Sequence, residues 1–143
     1  MRLSGLLAEE HTKISIASRI EEIDAAVTQA VDFAKQKGFS DDAIFGIDMA
    51  VREAVANAVK HGNCLDDRKS VDITLSDDSK SLKITIRDYG NGFSVEDVPD
   101  PRNPENLLKT DGRGILFMQN FVDVVEWHNH PDGGMYVKMV KNR

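Results

Sequence analysis

The chain has 143 residues, enough for one hydrophobic core of ordinary size. An apolar fraction of 41% and a charged fraction of 29% exclude a largely disordered chain. The formal net charge of −6, with no basic run, speaks against direct nucleic-acid binding, because phosphate backbones are held by clustered Lys and Arg.

The N-terminus turns acidic at Glu9 and Glu10, too early for a secretion signal. No apolar run approaches the ~20 residues of a membrane span, so a cytoplasmic protein with no membrane attachment is expected. From Lys13 to Ala17, Ile14 and Ile16 alternate with polar residues, which predicts a short strand. Arg19 to Lys37 carries Ile20, Ile23, Val27, Ala30, Val31 and Ala34 at helical spacing, and Gly38 is the expected stop. A second helix is expected from the Ser40 N-cap, with Asp41 and Asp42 favouring the positive end of its dipole. Its apolar stripe is Ile44, Ile47, Val51, Ala54, Val55 and Ala58, and it should end near His61, before Gly62-Asn63. Cys64 is the single cysteine, so no internal disulfide is possible, and no Cys/His cluster suggests zinc.

Two alternating runs follow, Val71-Ile73-Leu75 and Leu82-Ile84-Ile86, joined by the turn-like Asp77-Asp78-Ser79-Lys80. They predict a hairpin with one buried face. Tyr89 to Asp111, with Gly90, Gly92, Pro99, Pro101 and Pro104, reads as a long loop of the kind that covers a site. A helix from Gly112 to about Asn120 should follow, then strands near Val122–Trp127 and Met135–Val140 around a Pro131-Asp132-Gly133-Gly134 turn. The expected architecture is α+β, a two-layer sandwich of helices on one face of a mixed, mostly antiparallel sheet, in one domain spanning residues 1–143.

Three blocks carry chemistry. Glu53, Asn57 and His61 are spaced by four, so they fall along one line of the second helix, off its apolar stripe. Alone, such a row is more often a solvated face. As a cleft wall it would offer an amide oxygen to a hard cation and a carboxylate able to take a proton. The second block, Asp88-Tyr89-Gly90-Asn91-Gly92-Phe93, sits where a strand ends. Its plain reading is a glycine turn. Its functional reading is a carboxylate that accepts a hydrogen bond from an exocyclic amine, with glycines letting the backbone pass close to a flat base. The third, Gly112-Arg113-Gly114-Ile115-Leu116-Phe117, opens a helix, where backbone N–H groups favour phosphate oxygens. The chain contains no Walker A pattern.

Together and in this order, the blocks resemble the N, G1 and G2 boxes of the GHKL ATPases. The resemblance covers roughly Ser40 to Val140 and implies the Bergerat ATP-binding fold, with Tyr89–Asp111 as an ATP lid. Glu53-Ala-Val-Ala-Asn57-Ala-Val-Lys60-His61-Gly62, Asp88-Tyr-Gly90-Asn-Gly92-Phe93 and Gly112-Arg113-Gly114-Ile-Leu-Phe-Met are most similar to the bacterial anti-sigma-factor serine/threonine kinases. Met118-Gln-Asn-Phe121-Val-Asp123 resembles their segment after the G2 box.

The resemblance implies that Asn57 ligates Mg²⁺ and that Glu53 is the base or orienting carboxylate for an attacking hydroxyl. It implies that Asp88 holds the adenine amine of ATP, with Gly90 and Gly92 beside the base. Gly112 and Gly114 would approach the phosphates, and Lys60 would reach one of them. It further implies a homodimer that sequesters a sigma factor and phosphorylates an anti-sigma antagonist. One departure stands out. Some kinases of this branch carry Arg just before the first G2 glycine, whereas here Lys109-Thr110-Asp111 precedes it and Arg113 lies between the glycines. Either Arg113 or Lys109 is then the candidate to neutralise the γ-phosphate. The competing reading is a module that binds ATP without phosphotransfer, or a switch kinase that controls a protein partner with no sigma factor involved. A histidine-kinase ATP-binding domain is disfavoured, because His11 is the only histidine before the second helix.

Overall fold

The computed structural model describes residues 10–90 and 112–143. Gly92, Phe93 and the expected lid beyond Gly90 lie outside them, as do Lys109, Thr110 and Asp111. In chain order the elements are β1 (Glu10–Ala17), a 3-10 turn (Ile20–Glu22), α1 (Ile23–Gln36), α2 (Asp41–Asn57) and a π-helical turn (Ala58–Gly62). Then come β2 (Ser70–Asp77), β3 (Ser81–Arg87), α3 (Gly112–Gln119), β4 (Val124–Asn129) and β5 (Met135–Asn142).

The strands form one five-stranded sheet in the order β1-β2-β3-β5-β4. All four pairings are antiparallel, where the sequence reading allowed a mixed sheet. Period-two alternation sets the register. Thr12, Leu75, Ile84, Met139 and Val125 lie in one row across the strands, and Ile14, Ile73, Ile86, Val137 and Trp127 in the next. Ile73, Leu75, Leu82, Ile84 and Ile86 are fully buried against the helices, each contributing about 1.5–3 kcal/mol relative to exposure. The neighbouring rows, such as Lys13, Thr74, Thr85, Lys138 and Glu126, carry the polar face. The fold is the expected α+β two-layer arrangement.

Helix α1 buries Ile23, Ala26, Val27, Ala30 and Ala34, one stripe at helical spacing. Ile20 does not join that stripe; it lies on the preceding 3-10 turn and is exposed. The helix stops at Gly38, whose φ of +82° suits glycine. Ser40 caps α2 as expected, its Oγ accepting from Ala43 N at 3.2 Å. Small residues let α2 sit close to its neighbours: a Cβ at Gly46 would lie 2.6 Å from the Phe121 carbonyl oxygen.

The strand expected from Val122 begins instead at Val124. The amides of Phe121 and Val122 both donate to Met118 O, at 3.0 and 3.1 Å, so they close the end of α3 before the sheet begins. Among the described residues, no helix is long and apolar enough to cross a membrane.

The C-terminal Arg143 ties the chain end to two other segments. Its guanidinium donates to Lys37 O at 2.7 Å and to Ser79 O at 2.9 Å, pairs with Asp77 at 2.9 Å and lies 4.4 Å from the Phe39 ring centroid. Arg143→Ala should lower unfolding stability by about 1–2 kcal/mol, since hydrogen bonds to charged groups exceed neutral ones but solvent screens this partly exposed pair. The urea midpoint measures it, and an unchanged midpoint would show that the clamp carries no stability.

Candidate functional site

Helix α2 presents Glu53 and Asn57 one turn apart and half-buried. They face the start of α3. A Cβ placed on Gly114 would lie 2.6 Å from Asn57 Nδ2 and 2.8 Å from Glu53 Oε1, so any larger residue there would push into both side chains. The first and third sequence blocks, more than fifty residues apart in the chain, are thus in contact. Gly112 and Arg113 occupy the first two positions of α3, beside this contact.

Beyond Asn57 the helix widens into the π-helical turn, closed by Asn63 N donating to Ala58 O at 2.8 Å. The helix thus runs to Gly62, where the sequence places its stop, but its last turn is wound as π rather than α. Lys60 and His61 are exposed on this turn. Single π turns in helices recur at functional sites. Cys64 and Leu65 then take left-handed conformations, with φ of 53° and 60°.

Asp88, at the end of β3, is buried. Its carboxylate Oδ1 accepts from Gly90 N at 3.0 Å and from Met135 N at 3.2 Å. Its backbone N donates to Met135 O at 2.9 Å, which extends the β3–β5 ladder by one bond. Among the described residues Oδ2 accepts no hydrogen bond. Burial pushes the Asp88 carboxyl above its ordinary range, against the opposing pull of the two backbone N–H groups and of Lys69 and Arg87.

Three glycines pack around Asp88. A Cβ on Gly62 would collide with the Asp88 side chain, one on Gly90 with the Gly62 carbonyl, and one on Gly134 with the Asp88 carbonyl. Only residues without a Cβ let these backbones meet here. The end of α2, the end of β3 and the β4–β5 turn therefore converge on one carboxylate.

Asn63 was read in the sequence only as part of a helix stop. It is almost wholly buried at 1% exposure. Its Nδ2 donates to Ser70 O and its Oδ1 accepts from Tyr89 N, both at 2.8 Å. Tyr89 is held further by its hydroxyl, which donates to Asp72, and by the Arg87 guanidinium 4.2 Å from its ring centroid. Burial raises the Asp72 carboxyl, but hydrogen bonds from Tyr89, Ser15 and Ser70 outweigh it and leave the group below its ordinary range. Gly62, Asn63 and Gly134 were all missed as site residues, because Gly and Asn beside a helix end or a turn look like ordinary punctuation.

A family model described as the histidine kinase-like ATPase domain matches residues 16–141. The chain belongs to this family. Within it, the chain is 33% identical to the anti-sigma F factor of Anoxybacillus flavithermus, over 94% of this chain and 92% of that protein. It is also 33% identical to the Bacillus subtilis anti-sigma F factor over 94% and 92%. The Clostridium perfringens anti-sigma F factor is 29% identical over 99% and 94%. A solved structure of the RsbU and RsbW domains of a Mycobacterium tuberculosis protein superposes with a TM-score of 0.68. It is 16% identical and covers 93% of this chain but 32% of its own length, so it bears on the fold alone. As a member of the histidine kinase-like ATPase domain family, the chain has the GHKL fold that its three blocks resembled.

Proposed function

We propose that this histidine kinase-like ATPase domain is an ATP-binding anti-sigma factor that sequesters a sigma factor and phosphorylates a serine or threonine of an anti-sigma antagonist. The observation that carries the proposal is the contact of Gly114 with both Glu53 and Asn57, at one end of a site whose other end is the buried Asp88. Near-full-length similarity to proteins named anti-sigma F factor supplies the biological direction.

In this reading Asp88 accepts a hydrogen bond from the adenine amine, and Gly90 and Gly92, two residues apart, let the backbone pass close to the base. Asn57 offers its amide oxygen to Mg²⁺, a hard cation suited to oxygen ligands. Bound Mg²⁺ would neutralise charge on the phosphates. Gly112 and Gly114 bring the α3 N–H groups toward the phosphates, where a helix start favours anions. Lys60 and Arg113 are the cations assigned to phosphate charge. Glu53, half-buried beside Gly114, orients the attacking hydroxyl or takes its proton. Phosphoryl transfer asks chiefly for such positioning and charge neutralisation. A homodimer completes the proposal.

Calorimetric titration with Mg-ATP and Mg-GTP should show binding of ATP over GTP, with the heat lost in Asn57→Ala. Incubation with labelled ATP and a candidate antagonist protein should then place acid-stable phosphate on serine or threonine. ATP binding with no transfer to any antagonist would reduce the protein to an ATP-dependent regulatory module. No ATP binding would remove the proposal altogether.

A further inference from the structure

The adenine reading of Asp88 leaves open what holds that carboxylate in place. Its Oδ1 is fixed by Gly90 N and Met135 N, and its backbone N by Met135 O, all from the strand side. On the helix side the glycine contacts are only steric: Gly62 lies under the carboxylate and leaves it room, but donates nothing to it. Asn63 supplies a directional link across this gap.

The geometry of that link is specific. Asn63 follows the π-helical turn directly, and its own N–H closes that turn on Ala58 O at 2.8 Å. Its side-chain amide reaches the carbonyl of Ser70, the first residue of β2, and the N–H of Tyr89, the residue after Asp88. One donor and one acceptor of a single planar group therefore join the end of α2, the start of β2 and the peptide that carries Asp88. At 1% exposure, water cannot replace either bond, so losing one leaves an unpaired buried group.

We propose that Asn63 is a positioning residue for base selection, its bond to the Tyr89 amide setting the Asp88 carboxylate where it accepts from adenine and rejects guanine. The inference rests on the adenine role of Asp88. Adenine offers an exocyclic amine to a carboxylate, whereas guanine at the same place offers a carbonyl oxygen, which a fixed carboxylate repels. Discrimination of this kind depends on the acceptor being unable to move. Freeing the Asp88-Tyr89 peptide lets the carboxylate withdraw, which weakens ATP binding and relieves the repulsion of GTP together. A residue that merely stabilised the fold would lower both affinities alike.

Two substitutions separate these cases. Asn63→Ala removes both bonds. Asn63→Asp keeps an oxygen to accept from Tyr89 N but sets an oxygen against Ser70 O, so it should cost stability while keeping the clamp. The full chain is titrated with Mg-ATP and Mg-GTP in the wild type, both variants and Asp88→Asn. Thermal melting and hydrogen exchange at the Tyr89 amide are followed in each. The ATP-over-GTP preference is expected to fall at least about tenfold in Asn63→Ala, as for loss of one buried hydrogen bond. It should stay within about threefold of wild type in Asn63→Asp, although that variant melts lower.

Protection of the Tyr89 amide and the nucleotide preference must move together across the folded variants. A variant that loses one and keeps the other overturns the inference. Should Asn63→Ala fail to fold, Asn63→Asp decides by the same rule. A wild type with no preference for ATP, or an Asp88→Asn variant that keeps it, instead removes the adenine reading and the inference with it.

Discussion

Asp88→Asn is expected to bind ATP roughly 10- to 100-fold more weakly while the ligand-free protein becomes more stable. The two effects have one origin. Burial holds the Asp88 carboxyl above its ordinary pKa, so the folded state binds the proton more readily than the unfolded chain does. For a carboxyl raised on folding, stability is greatest below the ordinary carboxylate range. It falls as pH rises from that range through the raised folded value, and at neutral pH the buried charge remains a cost. Asparagine keeps an oxygen for Gly90 N and Met135 N and carries no charge, so that cost disappears. The same change presents an N–H₂ group where the adenine amine needs an acceptor, losing a charge-assisted hydrogen bond of about 1.5–3 kcal/mol. Calorimetry with Mg-ATP reads the first effect and thermal melting at pH 5 and pH 8 the second. The wild-type deficit should be larger at the higher pH. Unchanged ATP affinity would remove Asp88 from the site.

Glu53→Ala should leave ATP affinity within about threefold and lower phosphotransfer to an antagonist by about 10²–10⁴-fold, the usual contribution of a positioned acid or base. Glu53 lies on the Gly114 side of the site, with Asn57, and in the reading proposed above it acts on the attacking hydroxyl rather than on the nucleotide. Its effect therefore belongs to transfer, whereas that of Asn57→Ala belongs to binding. Single-turnover transfer of labelled phosphate, with nucleotide affinity measured in parallel, separates the two. Full transfer by Glu53→Ala would leave Glu53 a structural neighbour of Gly114, and loss of binding and transfer together would mark it as part of the nucleotide cradle.

The elements whose periods are strong were legible residue by residue. The Val71-Ile73-Leu75 and Leu82-Ile84-Ile86 runs are buried strands, because period-two alternation leaves a strand only one face to bury. Ser40 caps α2 and Gly38 ends the preceding helical segment, since both act through their own side chain or their lack of one. Details set by competition for backbone hydrogen bonds were not legible. The start of β4 moved because two amides bond back to Met118 O, and α2 gave way to a π turn because Asn63 N reaches Ala58 O. Neither choice leaves a side-chain signature.

The sequence by itself determined the chemical groups of the site: the carboxylates of Glu53 and Asp88, the amide of Asn57 and the glycines of the three blocks. These were readable because each is a residue type with a distinct donor, acceptor or steric property at a fixed local spacing. Only the tertiary structure decided which of them meet. Gly114 against Glu53 and Asn57, and Gly62, Gly90 and Gly134 around Asp88, are contacts across the chain that arise where helix starts, strand ends and turns converge. Asn63 belongs wholly to this second class. Its type and position resemble an ordinary helix stop, and its significance comes from two bonds, to Ser70 and Tyr89, that exist only once the sheet and helix α2 have packed together.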